Sequence, residues 1–168
     1  MVRLVRGFPD YTVNEHGVVR NRKTGNEVTQ TKRAEHMGVR LRRTTNGTWA
    51  SEWVHRLVAK AYLSNPRPDL FIEVDHIDGN EYNNHKSNLR WLNRQLNSLN
   101  SSSLGCVFNK KRKKWQAHLR VDGHLNYLGF FDTFLEGHRV YKTARDIAFN
   151  RIYTRLVSEG PTCLEFLP

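Results

Sequence analysis

The sequence predicts an α+β protein assembled from small modules. Three observations carry this reading: short runs of alternating apolar and polar residues broken by turn signals, two segments with helical apolar spacing, and a polar break at 98–104 between compositionally distinct parts. A chain of 168 residues holds one ordinary domain or two or three very small ones. Modules of about 50 to 60 residues have thin cores and lean on mutual packing, a bound metal or a nucleic-acid partner.

The elements follow in order. Tyr11-Thr12-Val13 and Val18-Val19-Arg20 flank the turn Asn14-Glu15-His16-Gly17, a hairpin signal. Gly25-Asn26 and Asn46-Gly47 mark further turns. Val39 and Leu41 alternate with Arg40 and Arg42, which puts the two arginines on one face of a strand. Trp49 to Val54 is a less regular strand. Residues 55–63 read as a helix with Leu57, Val58, Ala61 and Tyr62 on one side, ended by Pro66 and Pro68. Then come a strand at 71–76, the turn Asp78-Gly79-Asn80, a strand at 88–92, and a helix for which Asn93 is the N-cap. Beyond the break, Trp115, Ala117, Leu119 and Val121 alternate with Gln116, His118 and Arg120, Asp122-Gly123 makes a hairpin turn, and 125–131 returns as the partner strand. Residues 135–153 are helical, with Val140, Tyr141, Ala144, Ile147, Ala148 and Ile152 expected on one face. There is no internal repeat.

Composition narrows the function. The aromatic content of 11% is too high for a disordered chain. A net charge of +11 favours polyanionic partners, whether DNA, RNA or an anionic membrane surface; a basic protein of the ribosome-associated kind is the alternative. No stretch approaches the roughly 20 apolar residues of a membrane span, and the first residues lack a signal-peptide core, so a cytoplasmic location is expected. Cys106 and Cys163 fit a reducing compartment and cannot form a zinc site alone. The charge is also uneven. Residues 1–70 carry +7, residues 71–103 carry −1, and residues 104–168 carry +5. Basic arms around a carboxylate-bearing centre suit an enzyme that binds phosphates and holds a cation.

The sharpest local signal is Asp75-His76, then Asn88, then Asn97. Phosphodiester hydrolysis needs an activated water and charge stabilisation on the phosphate and the leaving oxygen. A histidine can take the proton of that water, and a hard divalent cation on oxygen ligands can stabilise the leaving oxygen. Adjacent strand residues point to opposite faces, so Asp75 can address a metal while His76 addresses water.

Val74-Asp75-His76-Ile77-Asp78-Gly79-Asn80, with Asn83-Asn84 and Asn88-Leu89-Arg90-Trp91, resembles the HNH homing-endonuclease motif, and His55-Arg56-Leu57-Val58-Ala59 resembles its usual lead-in. The likeness covers about residues 53–97. It implies a ββα-metal (His-Me finger) core, His76 as general base, Asp75 and Asn97 as ligands of one Mg²⁺ or Mn²⁺, and Asn88 as the residue that supports the loop and orients His76. The third signature position is Asn97 rather than histidine, which implies a weaker, more Mg-like site. Asp78 and Asn80 read as turn formers, Asn83 and Asn84 as loop caps, His55 as a structural residue at the helix start, and His85 as solvated. A zinc site is not expected, because no Cys/His quartet has suitable spacing.

The flanks carry two further resemblances. Gly7 to Asn21 resembles the nuclease-associated modular domain, which implies DNA contacts for Arg20, Arg22, Lys23, Arg40, Arg42 and Arg43. Gly105-Cys106-Val107, Lys114-Trp115-Gln116-Ala117 and Leu128-Gly129-Phe130-Phe131-Asp132-Thr133, with Ala144, resemble the ethylene-response-factor (apetala-two) DNA-binding domain. That family lays a three-stranded sheet, backed by one helix, in the major groove. Trp115, Ala117 and Leu119 would then face the helix and leave Gln116, His118 and Arg120 for base edges. Lys110, Lys111, Arg112, Lys113 and Lys114 form a basic turn suited to phosphates, and Arg90 joins the DNA-contacting set. One departure is Gly137-His138, where the family usually has an alanine pair.

The expected division is a β-rich DNA-binding module at 1–54, a nuclease core at 55–100, and a linker with a second DNA-binding domain at 101–168. The function implied is a phage-type, metal-dependent homing endonuclease that nicks or cuts double-stranded DNA, leaving 5′-phosphate and 3′-hydroxyl ends. It would act as a monomer or a homodimer. The rivals are a non-catalytic DNA-binding regulator and an RNA-binding protein.

Overall fold

The computed structural model describes residues 1–100 and 103–159; Ser101, Ser102 and the tail with Cys163 lie outside the described residues. The mixed α+β class agrees with the expectation: eleven short strands form small antiparallel sheets, accompanied by three helices, among the described residues. The chain divides into two compact units, Met1–Asn93 and Arg94–Pro168.

In the first unit, β1 (Val2–Val5), β2 (Phe8–Asn14) and β3 (Val19–Asn21) form one sheet. A second is made by β4 (Thr31–Arg33), β5 (His36–Arg42) and β6 (Trp49–Trp53). Helix α1 (Val54–Tyr62) follows at once, and β7 (Glu73–His76) pairs with β8 (Leu89–Leu92). None of these pieces can bury its apolar face alone, so they share a core. Phe8, Val13 and Val19 pack with Val39 and Leu41, with Val54, Leu57 and Val58 of α1, and with Val74 and Leu89 of the β7–β8 pair. Full burial of Val39 and Leu41 stabilises the unit by roughly 1.5–3 kcal/mol each. The boundary expected after residue 54 therefore falls inside this unit, at the junction of β6 and α1, where Val54 is fully buried in the common core. Tyr hydroxyls tie the layers together: Tyr11 accepts from the Arg42 backbone N–H at 3.2 Å, and Tyr62 donates to Val13 O at 2.9 Å.

Two strands are shorter than their apolar runs. Phe71 is buried, but its N–H donates to Arg67 O and its carbonyl accepts from Asn65 Nδ2, so the proline-flanked loop claims its backbone before β7 starts. Asn88 closes a 3₁₀ turn, Lys86–Asn88, before β8, because its N–H bonds to His85 O.

The second unit contains α2 (Arg94–Leu99), β9 (Cys106–Asn109), β10 (Lys114–Val121), β11 (His124–Phe131) and α3 (Phe134–Ser158). The sheet order is β11-β10-β9. Ala117 and Leu119 are buried and Trp115 meets Phe134 of α3 edge-on at 5.1 Å, so this side of β10 faces the helix as its alternation predicts. Thr133 and Glu136 form a reciprocal capping box that starts α3. Gly137 is explained by close packing. A Cβ there would lie 3.0 Å from Cys106 Sγ and 3.1 Å from Phe131, so the alanine of the resembled family does not fit without a shift.

Ile147 departs from expectation. Apolar spacing puts it on the packed face of the last helix, yet it is 64% exposed. At 100° per residue, Tyr141 and Ile152 lie on nearly one line and both are buried, whereas Ile147 sits about 120° round from that line.

Candidate active site and nucleic-acid interface

His76 ends β7 and is almost wholly buried. Its Nε2 lies 3.1 Å from Asn84 Oδ1 and its Nδ1 lies 2.9 Å from Glu81 Oε2. Both neighbours are oxygen acceptors, and a neutral imidazole has only one N–H to give. The same Glu81 oxygen lies 2.7 Å from Nδ1 of His36, the first residue of β5. The His36 and His76 rings stack at 5.9 Å, and His55 packs against both, at 4.6 and 5.2 Å. His55 is buried in the first turn of α1, and its Nδ1 has no hydrogen-bond partner. Burial, then the neighbouring His36, His76 and Arg56, push its pKa down to about 3, so this ring is neutral at physiological pH. It is thus both the helix-start residue that the sequence indicates and a wall of the site.

Asn88 locks the loop that follows β7. Its Nδ2 donates to Asp78 Oδ1 and to Asn83 O, both at 2.9 Å, while its Oδ1 accepts from Asp78 N–H at 3.1 Å. These bonds anchor the chain on both sides of Glu81, and Asn84 follows directly. Asn88 is thus tied to the loop that carries Glu81 and Asn84. Asp78 and Asn80 are turn formers in this loop: the Asn80 N–H donates to Asp78 Oδ1 and the Tyr82 N–H to Asn80 Oδ1. Hydrogen bonds from Asn83 Nδ2, the Asn80 N–H and Asn88 Nδ2 hold the Asp78 carboxyl below the usual carboxylate range.

Asp75, also buried, is the residue before His76 and so belongs to the opposite face of β7. Across the strand pair it faces Arg90, whose Nε donates to Asp75 Oδ2 at 2.8 Å. Asn97 lies on α2, in the second unit. His85, expected to be solvated, caps the 3₁₀ turn by accepting from the Ser87 N–H, and its ring lies 4.7 Å from that of His16.

The residues that sequence reasoning missed are His36, Glu81 and, in its role beside His76, Asn84. His36 lies 40 positions from His76, so no local spacing connects them. The nearest signal was the loop itself, whose length between Asp78 and Asn88 leaves room for a side chain to fold back.

The basic residues are spread over both units. Arg40 and Arg42 are exposed on one face of β5, as their alternation predicts. Several cations of the first unit have local partners: Arg20 pairs with Glu27 at 2.5 Å, Lys23 with Asp10 at 3.2 Å, and Arg22 donates to Pro9 O at 2.9 Å. Arg42 donates to Gly47 O, and Arg40 and Arg43 lie over the rings of Trp49 and Phe8. In the second unit, the face of β10 away from α3 carries Gln116, His118 and Arg120. Gln116 lies 3.2 Å from both Asn109 Nδ2 and His118 Nε2, and Arg120 donates to Gly123 O. Beside them on the sheet stand exposed Val107, Leu125 and Tyr127. Lys110, Lys111, Arg112, Lys113 and Lys114 occupy the β9–β10 turn and its margin, with Arg112 over Phe130 and Lys114 paired to Asp132.

Known proteins resemble the chain in sequence and in fold. An uncharacterized HNH endonuclease of Acanthamoeba polyphaga mimivirus is 32% identical over 128 residues, covering 75% of this chain and 36% of its own length. A second from the same virus is 28% identical over 117 residues, covering 70% of this chain and 29% of its own. In fold, the chain matches the HNH homing endonuclease I-HmuI, from a structure describing its DNA binding and cleavage, with a TM-score of 0.54 and 29% identity over 60% of this chain and 56% of that one. The chain is similar to HNH endonucleases in both sequence and fold. It spans only about a third of the length of the mimivirus HNH endonucleases. No family model matches the chain.

Proposed function

We propose that the chain is an HNH endonuclease that hydrolyses phosphodiester bonds of double-stranded DNA. The observation that carries this reading is the built environment of His76: a buried imidazole between a carboxylate and an amide, on a loop clamped by Asn88. Such a histidine serves as general base when its Nε2 exchanges the Asn84 amide oxygen for a water beside the scissile phosphate. Glu81, at Nδ1, stabilises the imidazolium formed as the proton arrives.

Asp75 and Asn97 offer the oxygen donors that suit a hard divalent cation, and Mg²⁺ or Mn²⁺ held there would stabilise charge on the leaving oxygen. The buried Asp75 carboxylate, which accepts from Arg90 Nε at Oδ2, is a donor of that hard-oxygen type.

The basic surfaces would extend the footprint. Lys110, Lys111, Arg112, Lys113 and Lys114 suit phosphates, while Gln116, His118 and Arg120 suit base edges if the sheet enters the major groove, as in the apetala-two type of domain. Arg20, Arg22, Lys23, Arg40, Arg42 and Arg43 would serve the N-terminal strands in the same way, and their exposed ion pairs can be exchanged for phosphate contacts at little cost. One such site per chain favours nicking by a monomer and a double-strand cut by a homodimer. A phage-type homing role in the host cytoplasm follows the same resemblance. Among the described residues, no helix is long and apolar enough to cross a membrane.

The test is relaxation of supercoiled plasmid at low salt with Mg²⁺ or Mn²⁺, with and without EDTA, beside His76→Ala. Metal-dependent nicking by the wild type and none by the variant is the expected result. Tight duplex binding without nicking would favour the regulator instead.

A further inference from the structure

We propose that His36, His76 and Glu81 bind a divalent first-row transition ion, and that filling this site withdraws His76 from cleavage. The second half rests on His76 being the general base; the first half does not.

The geometry is that of ligands aimed at a shared centre. One ligand atom from each residue lies within 4.8 Å of the others. Nδ1 of His36 and Nδ1 of His76 approach the same Glu81 oxygen, at 2.7 and 2.9 Å. Ordinary hydrogen bonds at those distances would be aligned. Instead, His36 Nδ1 and Glu81 Oε2 are buried without an aligned hydrogen-bond partner. Leaving two buried polar atoms in that condition carries the desolvation penalty of each without a compensating bond. Lone pairs that converge on a cation, rather than on one another, remove the penalty. The separations also suit neighbouring corners of an octahedron, which lie about 2.9 Å apart when the bonds are about 2.0–2.1 Å.

The donor set decides the class of ion. Two imidazoles and one carboxylate favour Mn²⁺ through Zn²⁺ and disfavour Mg²⁺ and Ca²⁺, which prefer oxygen throughout. His55 brings a third imidazole against both rings, its Nδ1 buried without a hydrogen-bond partner. The three ligands arrive from β5, the end of β7 and the following loop, so the folded unit holds them in place before any ion arrives. Asp75 belongs to the opposite face of β7, which separates this site from the oxygen donor proposed for Mg²⁺.

The consequence is competition for one imidazole. An ion on His76 Nδ1 holds the ring and draws electron density from it, so Nε2 becomes a poorer base. Zinc would then inhibit at concentrations far below those at which Mg²⁺ supports cleavage.

The experiment uses the full chain, stripped with EDTA and dialysed. Zn²⁺ is titrated by calorimetry and Co²⁺ by visible absorption, for the wild type, His36→Ala, Glu81→Gln and Asp75→Asn, each checked for folding by circular dichroism. We expect one ion per chain, unaffected by millimolar Mg²⁺ and retained in Asp75→Asn. Affinity should fall by more than about tenfold in His36→Ala and in Glu81→Gln, since even outer-shell partners of a metal are worth that much. Wild-type affinity in both folded variants overturns the site. In parallel, nicking in Mg²⁺ is measured against added Zn²⁺. Inhibition shifted to higher Zn²⁺ in His36→Ala supports the coupling, and unchanged inhibition overturns it. Ion binding without any nicking would leave the site standing and defeat the nuclease reading. Nicking without ion binding would do the reverse.

Discussion

Arg90 Nε donates to Asp75 Oδ2 at 2.8 Å across the β7–β8 pair, where the two residues stand opposite in register. The Asp75 carboxylate is buried, and the guanidinium fixes its orientation. Arg90→Ala should lower stability by about 1.5–3 kcal/mol, the range for hydrogen bonds to charged groups. Arg90→Lys should restore only part of it, because a point charge does not reproduce the planar donor. Urea midpoints of the two variants check this, and equal midpoints for wild type and Arg90→Ala would show the pair to be idle.

Asn88 makes three side-chain hydrogen bonds to Asp78 and Asn83. Asn88→Ala removes all of them and frees the loop that carries Glu81 and Asn84. Amide exchange at 77–84 should accelerate on the folded protein. Nicking should fall through kcat more than through KM if the loop acts by positioning His76.

His55 gives stability a dependence on acid. Its folded-state pKa of about 3 lies below the unfolded value of about 6.5. Below pH 6.5 the unfolded chain takes a proton that the folded chain refuses, so stability is constant above that pH and falls from there towards pH 3. The slope approaches about 1.4 kcal/mol per pH unit. Between pH 7 and pH 5 the wild type should lose about 1–2 kcal/mol more than His55→Gln. Denaturant melts at the two pH values measure the difference, and parallel losses would count against a neutral buried ring.

Gly105 occupies a backbone position with φ +67°, and a Cβ there would fall 2.1–2.4 Å from the Tyr141 ring. Tyr141 is buried and cannot swing aside without opening the seam between α3 and the sheet. Gly105→Ala should destabilise the second unit by more than about 1 kcal/mol, since the left-handed conformation alone carries a penalty of that order. Amide exchange across β9–β11 reads this unit by itself. A shift confined to the first unit would be the wrong result.

The basic turn and the sheet face should separate affinity from specificity. Replacing Lys110 and Lys111 by alanine should weaken duplex binding alike for all sequences, and each cation withdrawn from a phosphate should lower the salt slope by about 0.9. Gln116→Ala or Arg120→Ala should instead flatten sequence preference, with discrimination falling by about 1–3 kcal/mol for each base edge no longer read. Binding-site selection on random duplexes, repeated at two salt concentrations, distinguishes the two behaviours.

Elements whose information is local were legible in the residues alone. Alternation in Val39-Arg40-Leu41-Arg42 and Trp115-Gln116-Ala117-His118 assigned inner and outer faces correctly, because side chains of a strand alternate whatever the strand packs against. The Asp78-Gly79-Asn80 turn, the helix at 55–63 and the strand–loop–strand–helix order were legible for the same reason, as was the motif around Asp75-His76. Features that depend on which pieces share a core came from packing instead. Strands of three to seven residues and a nine-residue helix cannot bury their own faces, so β1–β6 merged with α1 and β7–β8 across the boundary expected at 54, and Ile147 turned outward once Tyr141 and Ile152 took the packed line. The surroundings of His76 belong to this second kind. His36, His55 and Glu81 come from separate elements, so no linear spacing connects them, while the packing of β5, α1 and the Asn88-clamped loop brings their side chains round His76.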